Sequence, residues 1–141
     1  MRTHGSLHGV RVVEISTSVA GPLVGQTLGD LGAEVVKVER VGTGDDTRAW
    51  APPTWEGESI IFLGLNRNKR SLELDYKDPR GREVLERLIA SADVLVQNMR
   101  PGALAAAGFG PVDGAQTLQQ LSGGNRQKLG LAVRTLLAPA P

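Results

Sequence analysis

The chain has 141 residues, 40% hydrophobic and 22% charged, with a formal net charge of +1; this suits one ordinary globular domain and excludes an intrinsically disordered chain. So small a charge offers no basic field for nucleic acid, and an aromatic content of 4% argues against base-stacking platforms. Cysteine is absent, which excludes disulfides, thiolate catalysis and cysteine metal sites. His4 and His8 lie near the amino terminus without a carboxylate or second histidine at ligand spacing, so both read as solvated and no metal site is expected. No apolar run approaches the ~18 residues a membrane span needs. The opening MRTHGSLHG lacks the apolar core of a secretory signal. The expectation is a cytoplasmic protein with no membrane and no nucleic-acid partner.

Val10, Val12, Val13 and Ile15 form a short β-branched run that predicts a strand. Ala20-Gly21-Pro22 breaks it, and proline suits a first helical turn because its missing N–H has no partner there. Val24, Leu28 and Leu31 follow at helical spacing, Gly25 and Gly29 lie one turn apart for close approach to a sheet, and Gly32 ends the helix. Val35, Val36 and Val38 begin a second buried strand. A strand, helix and strand of this length predict a parallel βαβ unit, whose first turn lies at the carboxyl edge of the sheet where open α/β folds bind ligands.

Val41 to Ser59 is rich in Gly, Pro and Asp and leaves little room for regular structure. A loop of that length in a compact domain is usually functional or mobile. Trp50 and Trp55 fall within it and read as pins for the loop, with the wall of a ligand channel as the sharper alternative. A short apolar run, Ile60 to Leu65, precedes NRNKRS, and Ser71 to Asp75 alternates as a strand. Asp78 caps a helix with Pro79 at its first position, and Val84, Leu85, Leu88 and Ile89 form its apolar stripe. Asp93 to Gln97 is the next buried strand, and Ala103 to Ala107 begins a short helix that Gly108 ends. Together these elements predict an α/β fold: a Rossmann-like parallel sheet flanked by helices.

Three loops are expected at the carboxyl edge: Ser18–Gly21, Asn66–Arg70 and Asn98–Gly102. They offer small residues, free amides near a helix amino terminus, and the cations Arg67, Lys69, Arg70 and Arg100, which suits a phosphorylated ligand. A solvated basic face is the alternative reading of those cations. A dinucleotide site is the natural competitor, with Glu39 placed like a ribose-binding acid, but Gly21, Gly25 and Gly29 are spaced by four and do not fit GxGxxG.

The words VAGPLVGQTLGDLGAEVVKVER, GDDTRAW and NRNKRSLELDYKDPRGREVLERLIASADVLVQNMRPGAL closely resemble the start of class III CoA-transferases, the family of formyl-CoA transferase, carnitine CoA-transferase and α-methylacyl-CoA racemase. The resemblance runs from about Leu7 to Gly110. It implies that residues 1–110 are the CoA-binding amino-terminal portion of an incomplete family domain. The ligand would be coenzyme A or acyl-CoA as a substrate, with no permanently bound cofactor. Ser18, Val19 and Ala20 would lie beside the pantetheine arm and Arg40 would contact the adenosine part. Lys69 and Arg70, with Asn98, Met99 and Arg100, would hold phosphates and line the thiol end. Ala105-Ala106-Ala107 stands where members of the family often carry a basic residue, so one phosphate contact is missing. The family's aspartate nucleophile lies well downstream of RPG, and no counterpart is found here. Asp113, in the turn-rich joint 111–115, reads as a turn residue. No catalytic residue is therefore assigned.

Residues 116–141 resemble something else. LSGGNRQK is similar to the signature motif of ABC-transporter ATPases, which implies a phosphate contact by Ser122, Gly123, Gly124 and Gln127. Leu129, Ala132, Val133 and Leu136 give the segment behind it a helical spacing, so a carboxy-terminal helix is expected. No P-loop and no apolar strand ending in Asp-Glu accompany the motif. The reading is thus a fragment of a CoA-transferase that supplies CoA binding. Its rivals are an ABC-type nucleotide-binding fragment and a non-catalytic fragment that pairs with an intact subunit. Full-length members of the resembled family form interlinked dimers, so a homodimer is the implied assembly.

Overall fold

A computed structural model of the protein describes residues 5–99 and the strand at 132–135. Its elements are β1 (Arg11–Ile15), α1 (Ala20–Asp30), β2 (Glu34–Glu39), a 3-10 turn (Asp46–Ala49), β3 (Thr54–Trp55), β4 (Glu58–Ser59), α2 (Ile60–Asn66), β5 (Lys69–Glu73), α3 (Pro79–Ala90), β6 (Val94–Gln97) and β7 (Ala132–Thr135). The main sheet has the order β5-β2-β1-β6-β7. Its first three pairings are parallel and the last, β6 with β7, is antiparallel. Short β3 and β4 form a separate antiparallel pair. The α/β class and the parallel βαβ unit are as the sequence predicts.

Helices cover both faces of the sheet at its centre, which is why β1, β2 and β6 carry buried apolar runs, whereas β5 is mostly polar and exposed. Val13, Ile15, Val38 and Leu95 pack on one face with Leu85 of α3, which is fully buried. Val12, Val35 and Val96 point the other way, with Val24 and Leu28 of α1 packed against them. Gly32, at φ +99°, ends α1 in a left-handed conformation as expected of a glycine there. The close approach foreseen for Gly25 and Gly29 is real. A Cβ on Gly25 would meet Glu14 Oε2 at 1.9 Å, and one on Gly29 would lie 3.1 Å from the Asn68 carbonyl oxygen.

Several expectations need correction. The strand predicted at Ser71–Asp75 begins two residues earlier, because Lys69 pairs with Val35 in the ladder and its ammonium has a buried partner, so a charge can open the strand. The apolar run at Ile60, for which no element was predicted, forms helix α2, capped by Ser59, whose hydroxyl accepts from the Phe62 N–H at 3.4 Å. Val84 is exposed, since it lies at the flank of the α3 stripe that Leu85, Leu88 and Ile89 define. Leu31 is also exposed, for it follows the last helical residue of α1. In the tail, Ala132–Thr135 is a strand paired with β6 rather than part of the expected helix; an open sheet edge offered the backbone a ladder of partners that helical spacing could not anticipate. Residues 111–115, Asp113 and the LSGGNRQK motif lie outside the described residues.

Candidate functional site

The chain runs from β1 to β2 and β5 on one side, then returns through α3 to β6 on the other side of β1. The reversal puts a topological switch point at the carboxyl ends of β1 and β6, where a crevice opens in folds of this kind. A cleft of about 850 Å³ lies there, within the range of small-molecule sites. Ile15 to Ser18 line it from β1, Val38 to Arg40 from β2, Gly44 to Asp46 from the following loop, Tyr76 and Lys77 from the segment after β5, and Asn98 and Met99 from the end of β6.

The β1–α1 turn is held residue by residue. The Ser16 carbonyl accepts from Lys37 Nζ at 2.8 Å. Asn98 accepts from the Thr17 N–H at 3.1 Å and donates to its carbonyl at 2.7 Å. The Ser18 N–H donates to Asp45 Oδ1 at 3.2 Å, and Ser18 sits at φ +69°. Gly21 must be glycine for this turn, because a Cβ would stand 2.3 Å from Ser16 Cβ.

Behind the turn lies a buried charge network on the α1 face of the sheet. Lys37 Nζ reaches Glu14 Oε1 at 2.7 Å and Asp45 Oδ2 at 2.8 Å, and Lys69 Nζ reaches Glu14 Oε2 at 2.8 Å. Burial would push the Asp45 carboxyl up, but the bonds from Lys37 and Thr47 outweigh it and hold the group below its ordinary range. Glu39 behaves alike: burial raises it, while Arg48, Ser71 and the Asp45 N–H together bring it down. Arg48 grips Glu39 with two bonds of 2.8 and 2.9 Å and stacks over the Phe62 ring at 3.7 Å. Burial lowers Lys69 despite its Glu14 partner. Glu14 and Lys37 interrupt the valine runs of β1 and β2 and face one another in the ladder. A charge in each of two buried strands was a legible pairing signal that the apolar count passed over.

Of the expected site residues, Ser18, Arg40, Asn98 and Met99 line the cleft. Both functions of the Asn98 amide serve Thr17. Arg40 is held through Nε to the Gly44 carbonyl at 3.2 Å and through its terminal nitrogen to Asp46. Val19 and Ala20 open α1 and do not line the cleft. The NRNKRS loop is not at the carboxyl edge. Lys69 and Arg70 start β5, which runs parallel to β2, so they belong to the amino-terminal side. Lys69 is buried against Glu14, the Pro22 carbonyl and Asn66, while Arg70 is exposed. The convergence of three loops is thus corrected to two, and Tyr76 and Lys77 line the cleft where NRNKRS was expected. Arg100 lies outside the described residues. Neither Trp50 nor Trp55 lines the cleft, and Trp55 is 66% exposed, which removes the channel-wall reading and leaves Trp55 a poor pin. Glu39, placed as a ribose-binding acid would be, has both carboxylate oxygens engaged by Arg48.

Residues 7–121 match the model of CoA-transferase family III. The chain belongs to CoA-transferase family III. It is 50% identical over 107 residues to the succinyl-CoA:glutarate CoA-transferase of Mus musculus, a stretch that is 76% of this chain and 24% of that protein. It is 47% identical over 104 residues to the formyl-CoA:oxalate CoA-transferase of Afipia carboxidovorans, covering 74% of this chain and 24% of the relative. Among solved structures, a CAIB/BAIF family protein from Brucella suis superposes with a TM-score of 0.71 at 46% identity, over 76% of this chain and 29% of that one. The Rv3272 protein of Mycobacterium tuberculosis superposes with a TM-score of 0.69 at 39% identity, over 84% of this chain and 31% of that one. The chain spans about a quarter of the length of these family III relatives.

Proposed function

We propose that this chain supplies the CoA-holding cleft of a CoA-transferase that moves CoA between an acyl-CoA and a carboxylic acid. One observation carries the reading: in a chain of CoA-transferase family III, a large cleft opens at the carboxyl edge of the sheet beside an immobilised β1–α1 turn. Among the described residues Arg40 and Lys77 are the cations that line the cleft; they hold the phosphates, Arg40 exchanging its exposed pair with Asp46 for the ligand, while Ser18 and Met99 lie along the pantetheine arm. The described carboxylates that line the cleft are already engaged: Glu39 by Arg48, Asp45 by Lys37, and Asp46 by Arg40. That supports a role in binding rather than in attack on a thioester, and no catalytic residue is assigned within the cleft.

The test is calorimetric. CoA binds more tightly than pantetheine, because bonds between a cation and phosphate are the stronger ones. Arg40→Ala and Lys77→Ala each weaken CoA by about tenfold and leave pantetheine nearly unchanged, the loss of one charge-assisted contact. Equal losses for both ligands, or no CoA binding by the unaltered chain, would refute the assignment.

A further inference from the structure

We propose that Asp45 is a positioning residue for the cleft, locking Ser18 in its left-handed conformation and so fixing the shape of the β1–α1 turn that meets the ligand. The inference deepens the CoA-binding reading and rests on it.

Its basis is a division of labour within one carboxylate. Asp45 is 1% exposed. Its Oδ2 faces Lys37 Nζ at 2.8 Å. Its Oδ1 accepts from the Thr47 N–H at 2.9 Å, from Thr47 Oγ1 at 2.7 Å and from the Ser18 N–H at 3.2 Å. One oxygen therefore anchors the side chain to a buried cation, and the other addresses the turn. The cation is committed as well: Lys37 Nζ donates to Glu14 and to the Ser16 carbonyl and forms an ion pair with Asp45.

A buried ion pair is often no more stabilising than an apolar pair of similar volume. Stability alone thus gives little reason for it here, whereas geometry does. Lys37 fixes the Ser16 carbonyl, Asn98 fixes Thr17, and Asp45 fixes Ser18, so three successive residues are tied to three different parts of the chain. Ser18 is the member under conformational penalty, since an L residue other than glycine seldom adopts φ +69°. The bond from the Ser18 N–H to Asp45 holds the peptide plane that enters Ser18, whose carbonyl end Asn98 holds at Thr17, so relaxation at Ser18 would have to break the Asp45 contact. The Asp45 backbone is itself held, because its N–H donates to Glu39 Oε2 at 2.9 Å.

The experiment is a double-substitution cycle with Asp45→Ala and Ser18→Gly, read by CoA affinity and by hydrogen exchange at the Ser18 amide. Glycine enters the left-handed region as readily as the right-handed one, so it removes the need for a lock. Asp45→Ala is expected to weaken CoA about tenfold when position 18 is serine, and about twofold or less in the Ser18→Gly background. Equal losses in both backgrounds would mean that Asp45 supports the fold only, and would overturn the proposal. Where Asp45→Ala leaves too little folded protein, Asp45→Asn, whose neutral amide is a weaker acceptor for the Ser18 N–H, replaces it in the cycle. Exchange separates this inference from the CoA reading. If the unaltered chain binds no CoA, that reading falls, and the lock is still judged by whether Asp45→Ala speeds exchange at Ser18 relative to Thr17, which Asn98 holds. An unchanged ratio would overturn it.

Discussion

Gly25 and Gly64 both stand inside helices, and helix propensity alone predicts that alanine would improve each. Their surroundings separate them. A Cβ on Gly64 meets nothing within 4 Å, whereas one on Gly25 falls 1.9 Å from Glu14 Oε2, an oxygen already paired with Lys69. Gly64→Ala should raise stability by about 0.5–1 kcal/mol through the unfolded chain's lost freedom. Gly25→Ala should lower it by about 3 kcal/mol or more, because overpacking is compounded by disruption of a buried pair. Urea denaturation of the two variants checks the opposite signs; a gain at both positions would mean that Glu14 can move aside freely.

Helix α3 shows how an element can be written almost wholly in local signals. Asp78 accepts from the N–H groups of Arg80 and Gly81 at 2.9 and 3.4 Å, Pro79 occupies the first turn, and Leu85 anchors the buried stripe. Asp78→Ala should cost about 1 kcal/mol, as loss of an N-terminal cap usually does. Asp78→Asn should cost a few tenths at most, since the amide oxygen can still accept. Thermal melts of both variants test this, and equal destabilisation would assign the effect to charge rather than to the cap. By contrast β7 has no such local signature: its strand state is set by the partner β6 presents, not by the sequence of Ala132–Thr135.

At the scale of the molecule the buried charges govern acid stability. In the unfolded chain Asp45 and Glu39 titrate near the ordinary carboxylate value of about 4. In the folded protein both are held lower. Between the two values the unfolded state binds more protons, so stability rises with pH there. The contribution is fully present above about pH 5 and is lost as pH falls through the folded-state values. Urea midpoints measured from pH 6.5 down to 3 should fall steadily below about pH 5. A midpoint that stays level to pH 3 would show that neither carboxyl is held below its unfolded-state value in the native protein. Lys69 does not share this window, since burial moves a lysine from a reference near 10.5 and the acid limb leaves it protonated in both states.

The fold was legible because its signals are local. Runs of Val and Ile, a proline and glycines at helix ends, and an aspartate before α3 each act over a few residues, so reading them needs no knowledge of distant partners. Family words in VAGPLVGQTLGDLGAEVVKVER and NMRPG were equally plain; of the described residues they implied for the ligand, Arg40, Asn98 and Met99 line the cleft and Val19 and Ala20 do not. What the sequence could not determine is where charges end. Lys69 reads like any exposed cation, yet the parallel register of β5 carries it to the amino-terminal side and seals it against Glu14, 55 positions away along the chain. Asp45 reads like one more loop acid, and only the return of that loop beneath Ser18 makes it a buried acceptor. A charge costs several kcal/mol to bury alone and far less beside a partner. Whether it faces solvent, a ligand or another side chain therefore depends on neighbours that tertiary structure alone supplies.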